Sequence, residues 1–509
     1  MALAHSWSVA LVGVDGHVVE IEADLAQGLP GLSVIGLPDA ALAESRDRVK
    51  AAIVNSGEPW PQRKVTLALS PASLPKRGSS FDVALAAGVL AANGSVPAAA
   101  LAGRVLLGEL GLDGRVRGVH GVLPAVLAAL RAGFERFIVP VDNLAEARLV
   151  PGVSAVGIGS LGSMVRVLRG TYDGDEPPVR VASSSPARLP DLADVAGQVV
   201  GRMAVEVAAA GGHHLFLLGP PGAGKTMLAE RLPGILPSLS VDEALEVTAI
   251  HSVAGRLSAG EPLITRPPFE DPHHNASLAA IVGGGSGIAR PGAACLAHRG
   301  VLFLDEAPEF APGVLDGLRQ PIEKGWASIA RAGGTAVYPA RFSLVMAANP
   351  CPCARPDDGC TCPPERRRRY LSRLSGPLLD RVDLRVTVPR VTRAEMLADD
   401  GRSEPSAAVA ARVAAARDAA AERYAGTPWR TNNDVPPSEL RRRWPIPRAA
   451  TRQLETALDS GAVTARGFGR ILRVAWTLAD LQGVAVPRAE QVDQALGYRT
   501  GLATRALAA

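Results

Sequence analysis

Eight consecutive residues, Gly219, Pro220, Pro221, Gly222, Ala223, Gly224, Lys225 and Thr226, carry the clearest chemistry in the chain. The glycines let backbone N–H groups curl around a triphosphate, while the Lys225 ammonium meets its charge and the Thr226 hydroxyl is set to reach a Mg²⁺ ion. A second group lies downstream, where the apolar run Val301 to Leu304 leads into Asp305 and Glu306. Carboxylates at the end of a buried strand can place Asp305 on the Mg²⁺ shell and Glu306 on an attacking water. Together the two motifs describe a nucleotide hydrolase.

Such a loop needs a strand before it and a helix after it. Leu215 to Leu218 supplies the strand, and the pattern opening at Met227 supplies the helix, whose positive N-terminus adds to phosphate binding. Residues 1–170 alternate strands with apolar helices and read as a self-sufficient α/β domain. They include a hairpin expected around Asp15 and Gly16, a buried strand over Val65 to Leu69 and a helix from Phe81 to Leu90. A Pro/Ser-rich polar stretch, 171–190, is a linker. Residues 191–390 form the nucleotide-binding core with a parallel sheet, and 391–509 a helical lid, with one long helix from Ser406 to Tyr424.

With 509 residues and 47% apolar content the chain can build about three cores. A net charge of +4 excludes a histone-like charge blanket but permits a local basic channel. The N-terminus lacks a basic region followed by an apolar one, and no apolar run approaches the roughly 18 residues of a membrane span, so a cytoplasmic protein is expected.

Four of the five cysteines, Cys351, Cys353, Cys360 and Cys362, form a CxC pair of pairs on a short loop. They suit a structural Zn²⁺, since four thiolates leave no open position for catalysis. Arg366, Arg367, Arg368 and Arg369 follow at once, and can be either a solvated face or a phosphate contact. His273 and His274 are expected to point apart on an extended chain, which argues against a shared metal. Runs on either side of Ala332 to Gly334 predict a hairpin, the second run leading to a strand that ends at Asn349.

These motifs, in this order, resemble the ComM/YifB family of magnesium-chelatase-like AAA+ ATPases, from about residue 5 to 500. Pro75 to Ser80 and the Leu107-Gly-Glu-Leu-Gly-Leu-Asp-Gly-Arg-Val run resemble the proteolytic domain of Lon-type proteases, with Ser80 at the nucleophile's place. Leu123 stands where that family has its lysine base, and no lysine occurs between Lys76 and Lys225. A serine without a base is a poor nucleophile, so a non-proteolytic scaffold is expected. Asp191 to Gln198 resembles the segment flanking the nucleotide base in AAA+ proteins, and the Gly-rich stretch after His274 resembles the helix-2 insert.

The resemblance further implies that ATP and Mg²⁺ are the cofactors, that Asn349 is sensor 1 and orients the lytic water, and that Arg381 is an arginine finger acting across subunits. Arg466, with Arg470 in reserve, would be sensor 2 on the ATP. Arg331, on the pre-sensor-1 hairpin, would touch DNA in the pore of a hexamer. The implied function is a branch-migration helicase on single-stranded or branched DNA, serving recombination or natural transformation. The alternative is a chelatase-type motor that remodels a protein partner.

Overall fold

The computed structural model describes residues 2–36, 40–74, 76, 78–177, 189–257, 263–285, 289–331, 334–353, 355, 360–395 and 403–501. Most of the expected linker, the hairpin turn at Ala332 and Gly333, part of the glycine run of the insert, and the Arg331 side chain lie outside the described features.

The N-terminal domain is a seven-stranded mixed sheet, comprising β1 (Ala2–Val12), β2 (Asp15–Ala26), β3 (Gly31–Ile35), β4 (Lys64–Ser70), β5 (Arg104–Leu106), β8 (Arg136–Pro140) and β9 (Ser154–Ile158). Their spatial order is β3-β4-β2-β1-β5-β8-β9, and a side hairpin joins β6 (Glu109–Leu110) to β7 (Val116–Arg117). Alternation along β2 buries Val19, Ile21, Ala23 and Leu25 on the face toward the helix Asp82–Ala92, which is buried along its whole length. Glu20, Glu22 and Asp24 take the other face.

The first hairpin turns at Gly13 and Val14, not at Asp15 and Gly16, because Asp15 already pairs with Val12 in the ladder. Gly13 takes the left-handed conformation the turn requires, at φ +71°. Gly16 is a packing glycine instead: a Cβ there would come within 2.5 Å of the Ala128 methyl on the helix Val122–Arg131.

The core is a five-stranded parallel sheet in the order β11-β14-β17-β10-β18. Its strands are β10 (Leu215–Leu218), β11 (Phe269–Glu270), β14 (Val301–Leu304), β17 (Ser343–Ala348) and β18 (Leu384–Thr387). Helices cover both faces, which is why β10 and β14 read as unbroken apolar runs. Between them lie a short pair, β12 (Gly283–Gly284) with β13 (Arg290–Pro291), and the hairpin β15 (Trp326–Arg331) with β16 (Gly334–Pro339). The helices Ser406–Arg423, Pro437–Arg443, Arg448–Asp459, Ala465–Leu481 and Ala489–Thr500 form the lid and share one apolar cluster with the core. Among the described residues no helix is long and apolar enough to cross a membrane.

Among the described residues the N-terminal domain meets the core at the helix Val241–Ala254 and at β16. Ala249, on the core helix Val241–Ala254, is buried among Val122, Val126 and their neighbours. The turn of the first hairpin meets β16, where a Cβ on Gly13 would lie 2.7 Å from the Val337 carbonyl. A buried carboxylate, Glu146, closes the seam by accepting from the Leu123 amide at 2.7 Å and from the Ser252 hydroxyl of the core helix.

Candidate nucleotide site

In a parallel sheet the loops at the carboxyl ends of the strands form the binding crevice. Leu218 pairs with Ala348 and Leu304 with Met346, so β10, β17 and β14 deliver Gly219, Asn349 and Asp305 to the same edge. Gly222 and Gly224 take left-handed conformations, at φ +73° and +87°. Gly219 leaves room for the Val388 carbonyl, which a Cβ would meet at 2.2 Å. These glycines are what allow the chain to fold back and open the helix Lys225–Glu230 at once.

Lys225 is 7% exposed, and its ammonium donates to the Gly219 and Pro220 carbonyls at 2.7 and 3.0 Å and to Asn349 Oδ1 at 3.1 Å. Burial lowers its pKa while Asp305 and Glu306 pull the other way. The Thr226 hydroxyl donates to Asp305 Oδ2 at 2.8 Å, which puts the two expected Mg²⁺ ligands side by side. Asp305 Oδ1 accepts from the Glu306 amide at 2.8 Å. That bond accompanies a left-handed Glu306 backbone, at φ +50°, a conformation uncommon for a residue with a side chain. It turns an exposed carboxylate to the mouth of the loop. The donor set therefore fits a Mg²⁺–triphosphate: one hydroxyl and one carboxylate for the ion, one ammonium for phosphate charge, and a second, exposed carboxylate for water.

Three contacts at this site were missed in the sequence. Gln198, held at φ +51°, donates to the Ala223 carbonyl of the loop at 2.9 Å and to the Pro389 carbonyl at 2.5 Å, fixing the Asp191–Gln198 segment against the nucleotide loop. Arg390 donates to Pro221 at 3.3 Å. The His273 and His274 rings do not point apart: a turn places their centroids 4.1 Å from each other, and His274 Nδ1 lies 3.6 Å from Glu306 Oε2. No spacing rule could reveal this, because the chain bends at Asn275, whose amide donates to His273.

The expected arginines are held elsewhere. Arg381 is 5% exposed and bonded to Glu323 and the Pro377 carbonyl of its own chain. Arg466 reaches Asp380 at 3.4 Å and Arg470 reaches Asp383 at 2.7 Å, so their partners are carboxylates of the core and not loop residues. Burial opposes the charge on Asp383, but the Arg470 guanidinium and His213 outweigh it and hold the carboxyl well below its usual range. Asp383 also accepts from the His214 amide at 3.0 Å, tying the lid helix Ala465–Leu481 to the root of the loop strand.

Beyond Asn349 the chain enters the cysteine loop. The four sulfurs of Cys351, Cys353, Cys360 and Cys362 lie within 4.8 Å of one another, the spacing of a tetrahedral thiolate cage, in which Zn–S is about 2.3 Å. The cage fits zinc in charge as well. Hydrogen bonds from the Cys362 amide and the neighbouring thiols bring Cys360 down to about 6, while burial pushes Cys351 up to about 12, so the thiols share protons that a metal would displace.

The chain matches three family models: "Magnesium chelatase, subunit ChlI" over residues 191–396, "Subunit ChlI of Mg-chelatase" over 21–143, and "Magnesium chelatase, subunit ChlI C-terminal" over 403–499. It is 57% identical over 500 residues to protein Rv2897c of Mycobacterium tuberculosis, covering 98% of this chain and 99% of that relative. It is 40% identical to YifB of Escherichia coli over 500 residues, covering 98% and 97% of the two chains. With the competence protein ComM of Haemophilus influenzae it shares 40% over 508 residues, covering 98% of each. A partial match, 29% over 155 residues, joins 30% of this chain to 18% of the Lon protease of Leptospira interrogans.

Proposed function

Because the chain belongs to the magnesium-chelatase-like AAA+ ATPase family that includes YifB and ComM, we propose that it is an ATP-driven hexameric motor on DNA. We read it as a branch-migration helicase of recombination or transformation, working in the cytoplasm. The convergence of Lys225, Thr226, Asp305, Glu306 and Asn349 on one sheet edge carries the hydrolytic part of this reading. Thr226 and Asp305 would hold Mg²⁺, which when bound neutralises phosphate charge. Lys225 binds the phosphates, Glu306 polarises the attacking water, and Asn349 orients it.

Arg381 of a neighbouring subunit completes the site once it leaves Glu323, and Arg466 and Arg470 report nucleotide state through Asp380 and Asp383. Zinc in the cysteine cage is structural, and close to one equivalent should copurify. DNA enters through the β15–β16 hairpin, with Arg331 at its turn end, where it pairs with Gly334.

The test is ATP hydrolysis with and without single-stranded or branched DNA, in the wild type and in Arg331→Ala. DNA should stimulate the wild type, and the substitution should weaken DNA binding and flatten its salt dependence. The matching models describe a chelatase subunit, which favours as second reading a motor that remodels a protein partner. A wild-type ATPase indifferent to DNA would select that one.

A further inference from the structure

The helix Pro364–Leu371 carries Arg366, Arg367, Arg368 and Arg369, all four exposed, while its Tyr370 is buried. Some arginines of this chain are paired with carboxylates, Arg373 with Glu309, Arg412 with Glu206 and Glu404, Arg423 with Asp480, and others are not; what sets this helix apart is four successive exposed ones. On this helix no guanidinium has a carboxylate partner among the described residues, and Arg367 alone finds acceptors, the Cys360 carbonyl at 3.5 Å and the Cys360 sulfur. Successive residues on a helix point about 100° apart, so the four charges fan around it and do not share a face.

The helix is anchored at both ends to the hydrolytic site. Upstream, only Pro350 separates the cysteine cage from Asn349. Downstream, Arg373 donates to the Pro308 carbonyl at 3.2 Å and to Glu309 at 2.9 Å, on the turn that follows Glu306.

We propose that this helix is a second docking site for nucleic-acid phosphates, distinct from the β15–β16 hairpin, and that its occupancy is relayed to Asn349 and Glu306 through those two anchors. The inference rests on the DNA-motor reading and adds a site and a route of stimulation to it. A fan of planar guanidinium forks suits the oxygens of a flexible phosphodiester chain, which can follow the helix around. The flat face of an acidic protein would meet one stripe of it. The cysteine cage, joined to the helix by the Arg367–Cys360 bond, sets the angle at which the arginines are presented.

The experiment uses the full chain and a fluorescent oligothymidylate of about 30 nucleotides, with anisotropy recorded over a series of NaCl concentrations. Arg366, Arg368 and Arg369 are changed together to Ala, and in a second protein together to Lys. Loss of three phosphate contacts should reduce the slope of log K against log salt by about 2 and weaken binding about tenfold or more, and the Lys protein should recover the slope. At saturating DNA the Ala protein should also lose most of the DNA stimulation of ATP hydrolysis. Unchanged slope and affinity in the Ala protein overturn the docking site, and full stimulation at saturating DNA overturns the relay. A first defect in self-association would make the patch a subunit contact and overturn it too. If the wild type itself ignores DNA, the motor reading falls, and this inference with it.

Discussion

The N-terminal domain and the ATPase core are both α/β, and both keep lysine, serine or threonine and carboxylates near their sheets, yet they use them in opposite ways. In the core, Lys225, Thr226, Asp305 and Glu306 converge on one open edge, and two of their bonds join residues 79 and 124 positions apart. In the N-terminal domain Lys76 is 0% exposed and spends its ammonium on the carbonyls of Gly36, Leu69 and Pro71. Asp82 is buried against Arg48 at 2.8 Å, and Leu123 is buried in apolar packing. Both ammoniums have three partners, but those of Lys225 lie on the nucleotide loop and at Asn349, beside the exposed Thr226 and Glu306, where an arriving phosphate can take them over.

Arg381 is the residue that can break this contrast, since it lies in the core but is buried and paired like a scaffold residue. If it acts as a finger across subunits, Arg381→Ala should cost about 10³-fold or more in ATP turnover, with nucleotide affinity little changed. Mixing it with Lys225→Ala subunits, which bring an intact finger but a poor loop, should restore part of the rate. Turnover close to wild type in Arg381→Ala alone would leave Arg381 as a tie to Glu323.

Glu306→Gln tests the other side. The amide cannot accept a proton, so turnover should fall by about 10²–10⁴-fold while ATP still binds through Lys225, Thr226 and Asp305. Binding by fluorescent-nucleotide titration and turnover by phosphate release separate the two, and a loss within a few-fold would remove Glu306 from its role.

What could be read from the sequence was local. The nucleotide loop, the Asp305–Glu306 pair and the strand ending at Asn349 each lie within a few residues, and their types allow few other uses. The thiol cage was legible for the same reason. Gln198 against Ala223 spans 25 residues, Arg381 against Glu323 spans 58, and His274 against Glu306 depends on a turn at Asn275, so only the folded chain brings them together. The first hairpin turns two residues before the expected Asp15 and Gly16, because Gly16, which looks like a turn glycine, is needed for the close approach of Ala128.

Lys76 sharpens the contrast from the N-terminal side. Lys76→Ala leaves the buried Leu69 carbonyl short of a donor, along with the more accessible ones of Gly36 and Pro71, at a cost of about 1–3 kcal/mol to the N-terminal domain. Limited proteolysis should then cut that domain first, while the core retains nucleotide binding. Nucleotide affinity that falls as steeply as N-terminal protection would mean that the two regions are not separate in this respect.

The smallest expected effect is at the seam. Glu146 belongs to the N-terminal domain, but its carboxylate accepts from Leu123, from Asn143 at 3.1 Å and from Ser252 of the core. Burial raises its pKa above the ordinary 4.5. Below that value the group is protonated in docked and undocked forms alike, and its contribution to docking is fully present. If undocking, which removes Ser252, brings the pKa back toward 4.5, the undocked form releases its proton first as pH rises, the docked form must follow at its higher pKa, and that contribution is lost. Glu146→Gln keeps an acceptor for Leu123 and Ser252, gives up the Asn143 bond at about 1 kcal/mol, and cannot titrate. Hydrogen exchange in the helix Val241–Ala254, followed from about pH 5 to 8 and corrected for intrinsic rates, should lose protection in the wild type relative to the Gln protein as pH rises. Equal pH dependence in the two proteins would mean that Glu146 does not titrate with docking, and the opposite slope would mean that Ser252, Leu123 and Asn143 favour the charged form enough to overcome its burial.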